Sequence, residues 1–284
     1  SQERQQILRC LSYGQGEISF KLYPINIYMF QDYPHNVKKI NIDNKKFIIK
    51  TLYNKEILKK EFEIMKFIEP FNISPKVFKI KDNKIVEEYV DGSNLNNISL
   101  DDELITKLAD KINILHRIKS SKKIKEILKD SFIVNDRYQP FKIFQFIIDN
   151  ISSHINYIKL KDFFIKYEKY LEDKNYNIGI VHGDLTPGNI VLSKSGLCLL
   201  DWTDCRYDIL SCDVSQLFYS FNFSKQQRKI FLERYKATYV DDTVLEMHYL
   251  LLLLFDLSNV FRKTGKFNKE IAKRVNNIID KYGS

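Results

Sequence analysis

Asp184, Asn189 and Asp201 are the residues of this 284-residue sequence whose types and spacing could do chemistry. The segment Val181-His182-Gly183-Asp184-Leu185-Thr186-Pro187-Gly188-Asn189-Ile190 leaves a short apolar run, crosses a polar loop and turns apolar again. Leu199-Leu200-Asp201-Trp202 then closes the hairpin that follows. Asn189 lies five residues after Asp184, and Asp201 twelve after Asn189. Apolar strands fix the backbone, so their loops present three oxygen-bearing side chains at one mouth. Oxygen ligands with spare coordination positions suit Mg2+ shared with substrate phosphates. A carboxylate that the metal does not use can take the proton of an attacking hydroxyl.

A second pair of residues lies far upstream. The spacing predicts a helix from about Lys55 to Glu69, closed by Pro70, with Ile57, Leu58, Glu61, Ile64, Met65 and Ile68 on one stripe. Glu61 sits in the middle of that apolar face, where a carboxylate is costly unless a cation meets it. The preceding strand, Phe47-Ile48-Ile49-Lys50, places Lys50 in an equally apolar setting. Two misplaced charges of opposite sign on consecutive elements solve each other's problem. A structural salt bridge or a lysine reaching for solvent is the plainer alternative.

The elements that must position these groups divide the chain by character. Glu17–Tyr28, Val37–Ile42 and Lys46–Leu52 read as strands, the last two joined by the turn Asp43-Asn44-Lys45. Val77–Ile80 and Lys84–Val90 flank Asp82-Asn83 as a hairpin, and Asp91-Gly92-Ser93 breaks the pattern. A helix follows over Asp101–Ile118, with Ile105, Leu108, Ala109, Ile112, Leu115 and His116 on one face. Two or three helices fill residues 120–175, with a loop near Asn135–Pro140. Short strands are expected at Gly179–His182, Ile190–Ser193 and Leu197–Trp202, and helix from about Ser224 onward. The expected division is a strand-rich lobe over residues 1–92 and a helical lobe over 93–284.

Composition excludes several classes. An apolar fraction of 44% with 29% charged residues is that of a globular chain, not a disordered one. The longest unbroken apolar run, Tyr249–Phe255, is far short of the roughly 20 residues of a membrane span, so it reads as a buried helix core. No secretory signal is visible at the N-terminus. The net charge of +9 comes without dense basic and aromatic clustering, so no nucleic-acid partner is expected. Lys119, Lys122, Lys123, Lys125 and Lys129 read as a solvated helix face. Cys10, Cys198, Cys205 and Cys212 make neither a disulfide framework nor a common zinc pattern, and they suit a reducing cytoplasm.

The chain resembles the aminoglycoside phosphotransferase and choline kinase superfamily, whose fold is similar to that of protein kinases. The resemblance is carried by His182-Gly183-Asp184-Leu185-Thr186-Pro187-Gly188-Asn189, then Leu200-Asp201-Trp202-Thr203-Asp204 and Asp213. Lys50, Glu61, the segment Val86–Gly92 and the helix ending in Leu115-His116 support it, so that it covers about residues 30–220. It implies an α+β, bilobal protein-kinase-like fold with a small antiparallel-sheet N-lobe bearing one helix and a larger helical C-lobe. It implies Asp184 as catalytic base, with Asn189 and Asp201 holding Mg2+. Lys50, oriented by Glu61, would touch the phosphates of ATP, with GTP the alternative nucleotide. The backbone of Glu88 and Val90 would meet the adenine edge, His182 would brace the loop, and Asp213 would anchor it from a following helix.

The implied activity is phosphoryl transfer to a hydroxyl of a small molecule: an amino sugar, an amino alcohol such as choline, or another carbohydrate. The acceptor would lie on the helical part, where Asp241, Asp242, Glu246 and Asp256 are candidates for binding a cation. A protein Ser/Thr kinase and a catalytically silent nucleotide-binding module are the alternatives. The first is disfavoured because no Asp-Phe-Gly to Ala-Pro-Glu segment follows Asp201. No Gly-rich loop precedes Lys50, and the Glu-Tyr pair usual in choline kinases is missing after Asp201. A monomer or homodimer is expected, without a transmembrane segment, and contact with a membrane surface stays open.

Overall fold

Asp43 and Asn44 both take positive φ, 49° and 60°, so the first turn has the twist that joins two antiparallel strands tightly. It links β1 (His35–Ile42) to β2 (Lys45–Leu52). The computed structural model describes residues 35–52, 54–134, 147, 150, 154–172, 177–238 and 240–282. The strand expected at Glu17–Tyr28 and the loop near Asn135–Pro140 lie outside them. β3 (Val77–Lys81) and β4 (Lys84–Glu88) form the second hairpin, and all four strands make one antiparallel sheet in the order β1-β2-β4-β3.

Between the hairpins runs α1 (Lys55–Ile68), capped by the Asn54 side chain, which accepts from the amides of Glu56 and Ile57. Its buried face is the stripe read from the sequence, Glu61 included. Pro70 ends it in a single 3-10 turn over Glu69–Phe71.

Two strands were not expected. β5 (Gly92–Asn94) pairs with β7 (Ile190–Ser193), which in turn pairs with β8 (Gly196–Leu199). A Cβ on Gly92 would stand 2.4 Å from the Leu192 carbonyl oxygen, so the glycine that looks like a strand breaker is what admits the close approach. β9 (Arg206–Ile209) pairs with β6 (Ile178–Val181). Its charged residues are paired with each other, Arg206 Nε to Asp208 Oδ2 at 2.8 Å, which lets a strand that reads as polar be buried.

The remainder is mostly helical. α2 (Asp102–His116) is capped by Asp101 and packs on α6 (Lys225–Arg234), which opens with a Ser224–Gln227 capping box. Asn113 bridges the two, donating to the Arg234 carbonyl and accepting from the Lys236 amide. α3 spans Lys122–Val134 and α5 Ser211–Ser220. These elements, with the sheets, form one compact unit drawn from residues 31–135 and 177–245, and fully buried Trp202 belongs to its core. Lys119, Lys122 and Lys123 are exposed there, whereas Lys125, expected on the same solvated face, is half-buried with its ammonium 5.3 Å from the centre of the Tyr207 ring.

A second compact unit contains α4 (Tyr157–Glu172), α8 (Lys269–Tyr282) and α7 (Asp242–Thr264) beyond its first turn. Lys159 pairs with Asp280 and Lys281 with Glu246. α7 is long and apolar enough to cross a bilayer by length and composition, although half of its most apolar window is buried in the protein. Leu250, Leu253, Leu254 and Leu257 are fully buried, which is the pattern of a core helix.

Candidate active site

β2 carries Lys50 and α1 carries Glu61, and their charges meet. Lys50 Nζ lies 2.7 Å from Glu61 Oε1 and 2.7 Å from Asp201 Oδ1, and it donates to Thr203 Oγ1 at 2.8 Å. Lys50 and Glu61 are both almost wholly buried, whereas the Asp201 side chain is a quarter exposed. Burial alone would disfavour the Lys50 ammonium, but Glu61 and then Asp201 override it and hold the group above its ordinary range. Glu61 Oε1 also accepts from the Trp202 amide at 3.1 Å. Helix α1 is tied to the same segment a second time: Lys60 donates to the carbonyls of Thr203 (2.7 Å) and Cys205 (3.0 Å).

The loop after β6 holds the second cluster. Asn189 Nδ2 donates to both the Asp184 carbonyl (3.0 Å) and Asp184 Oδ2 (2.7 Å). Gln216, on α5, donates to Asp184 Oδ1 at 3.2 Å, so each carboxylate oxygen is held by an amide donor. The Leu200 amide donates to the Asn189 carbonyl at 2.8 Å, which brings Asn189 within one residue of Asp201 across the hairpin. Asp201 itself has φ +59°, a left-handed conformation that is uncommon for a residue with a side chain.

Asp213 builds the floor under this loop. Its carboxylate accepts from the amides of His182 (2.7 Å) and Gly183 (2.9 Å) and from His116 Nε2 (3.1 Å). Burial alone would push Asp213 up, but the His116 hydrogen bond and the surrounding donors hold it below the usual carboxylate range. His116 Nδ1 in turn faces the Tyr235 hydroxyl at 2.6 Å. Gly183 takes φ +82°, and a Cβ there would stand 2.3 Å from the Asp204 carbonyl oxygen, so only glycine fits. His182 accepts at Nδ1 from the Asp184 amide, leaving Nε2–H to donate to the Leu200 carbonyl. That pattern is the neutral imidazole, and burial lowers the His182 pKa in agreement with it. His182 therefore braces the loop as expected.

Asn189 spends both amide hydrogens on Asp184, which turns its oxygen away from that carboxylate. An outward amide oxygen beside a part-exposed carboxylate at Asp201 is a donor set that fits Mg2+ with room for phosphate oxygens. Among the described residues no group of three or more His, Cys, Asp or Glu could hold a metal unaided. The strand-end residues differ from each other. Glu88 is exposed, and its amide donates to the Lys76 carbonyl at 2.8 Å, so it has only its carbonyl left to offer; Val90 follows β4 and is half-buried. Of the acidic candidates further on, Asp241 caps α7 and Glu246 pairs with Lys281.

Thr203 and Glu87 lie in the quoted motifs without a role of their own, and Gln216 and Lys60 were not singled out in the sequence. Burial pushes the Glu87 carboxyl up to about 7, with Glu61 and Asp201 adding to the rise and Lys50 opposing it. Between the ordinary value of 4.5 and about 7 the unfolded chain releases this proton and the folded chain keeps it. The site therefore costs stability at higher pH. Glu87→Gln should raise the melting temperature at pH 8, with a gain of at most about 3 kcal/mol that fades as pH falls and vanishes near pH 4. A gain that instead grew toward acid would contradict this.

The fold, with its Lys50–Glu61–Asp201 cluster and Asp184–Asn189 loop, is that of a small-molecule phosphotransferase of the choline/ethanolamine kinase type. A model of the choline/ethanolamine kinase family matches residues 26–276, and the chain belongs to that family. It is 23% identical over 212 residues to the protein LicA homolog of Metamycoplasma hominis, covering 70% of this chain and 80% of the other. Choline kinase LicA from Streptococcus pneumoniae has a similar structure, with a TM-score of 0.65 at 18% identity, covering 87% of this chain and 90% of that one. A spectinomycin phosphotransferase in complex with ADP and spectinomycin is similar at TM-score 0.59 and 16% identity, over 88% and 90% of the two chains.

Proposed function

We propose that this protein transfers the γ-phosphoryl group of ATP to a hydroxyl of a small amino alcohol, amino sugar or other carbohydrate, with Mg2+. The observation that carries the reading is the convergence of Lys50, Glu61 and Asp201 at 2.7 Å next to the Asp184–Asn189 loop. In this reading the strand-rich part up to Gly92 holds the nucleotide and the helical part supplies the loop and the acceptor. Lys50 meets the phosphates, with Glu61 fixing its position. Asn189 and Asp201 hold Mg2+, which when bound neutralises charge on the phosphates. Asp184, steered by Asn189 and Gln216, takes the proton of the acceptor hydroxyl as its oxygen bonds to the γ-phosphorus. The bond to the bridging β–γ oxygen breaks and ADP leaves. Most of the acceleration comes from positioning and charge stabilisation.

Family membership puts amino alcohols first among the acceptors. The test is transfer of label from γ-labelled ATP with Mg2+ to choline, ethanolamine, amino sugars and simple sugars in parallel. Acceptor-dependent transfer that disappears without Mg2+ is expected. Nucleotide binding with no transfer to any of them would favour a catalytically silent module instead.

A further inference from the structure

We infer that the Glu87 carboxyl selects a purine with a 6-amino group over one with a 6-oxo group. The inference rests on the nucleotide reading above and adds its base preference. In the β2–β4 register Lys50 faces Ile85 and Ile48 faces Glu87. Paired residues share a face of the sheet, so Glu87 projects on the side where Lys50 meets Glu61 and Asp201. It is half-buried there, and among the described residues it makes no hydrogen bond or ion pair of its own. The charges acting on it are Lys50 from β2, Glu61 from α1 and Asp201 from the loop after β8. A half-buried carboxyl that no protein donor meets, facing the cluster of Lys50, Glu61 and Asp201, is open to a ligand that donates to it.

The backbone beyond it fixes which part of the base would arrive. The Glu88 amide is taken by Lys76, so residue 88 offers an acceptor, and residue 90 follows with its own N–H. Residues 91–94 are exposed, whereas Ile85 behind Glu87 is buried. The ribose side of a purine therefore lies toward 91–94, and its 6-substituent lies toward residues 87 and 88. An adenine 6-amino group has two N–H donors, one for the Glu88 carbonyl and one for Glu87. A guanine or hypoxanthine 6-oxo group sets its lone pairs against both acceptors. A site built to accept hydrogen bonds rejects a ligand that lacks the donors.

The test needs no knowledge of the acceptor. Dissociation constants for the Mg2+ complexes of ADP, GDP and IDP are measured at pH 8.5, where Glu87 is ionised, for the wild type, Glu87→Gln and Glu87→Leu. The wild type should prefer ADP over both others by about 100-fold or more, with IDP behaving as GDP because it shares the 6-oxo group, although it lacks the 2-amino group. Glu87→Gln, whose amide can turn its NH2 toward a 6-oxo group, should narrow the ratio about tenfold or more. Glu87→Leu should weaken ADP and strengthen GDP, because it removes the donor's partner in one case and a repelling acceptor in the other. A preference unmoved by both substitutions, or IDP tracking ADP, overturns the role of Glu87 alone. Binding of none of the three nucleotides by the wild type overturns the nucleotide reading itself.

Discussion

Lys50→Ala should abolish turnover and also lower stability by about 3–5 kcal/mol. Glu61 is 1% exposed, and removing Lys50 leaves its carboxylate buried without the cation that contacts it. The stability loss has a specific remedy. Lys50→Ala with Glu61→Gln removes both charges, so most of the lost stability should return while activity stays absent. Chemical denaturation of the single and double variants, analysed as a mutant cycle, separates the two effects. A single variant as stable as wild type would mean that the Glu61 charge is not held by Lys50. A double variant that regained turnover would remove Lys50 from the mechanism.

Asp184→Asn should behave in the opposite way, folding normally and losing about 10^2–10^4 in kcat. Asp184 is part-exposed and accepts from two neutral amides, Asn189 and Gln216, whose hydrogen bonds an asparagine carboxamide oxygen can still accept. KM for the nucleotide should move little, because the residue acts on the acceptor side. Steady-state kinetics on the acceptor found by the labelling screen, with a melting curve as control, checks this. Normal kcat in Asp184→Asn would end its assignment as base.

The contrast between these two residues shows what the sequence could disclose. Lys50 and Glu61 were legible because a charge in the middle of an apolar stripe must find a counter-charge, and the 2.7 Å contact is that necessity met. The loop from His182 to Asn189 was legible as a motif, and the order of strand, loop, hairpin and Asp201 followed from apolar runs. Gln216 was not legible: within Asp213-Val214-Ser215-Gln216-Leu217 every residue is buried, so periodicity cannot say which polar side chain faces Asp184. Glu87 escaped because a strand of alternating type beside Glu88 does not reveal which of the two points inward until the register with β2 is known. β5 and β9 were missed for a related reason: a close backbone approach at Gly92 and an internal Arg206–Asp208 pair are answers to problems set by neighbours distant in the chain.

The two lysines of α1's surroundings have a further effect. Lys50, Lys60 and Glu61 together stitch the helix to residues 201–205 through both side-chain and main-chain bonds. An outward swing of that helix would strand several desolvated groups at once. The Lys50–Glu61–Asp201 cluster therefore comes ready-made with helix α1 already docked, and no movement of that helix is needed to build it.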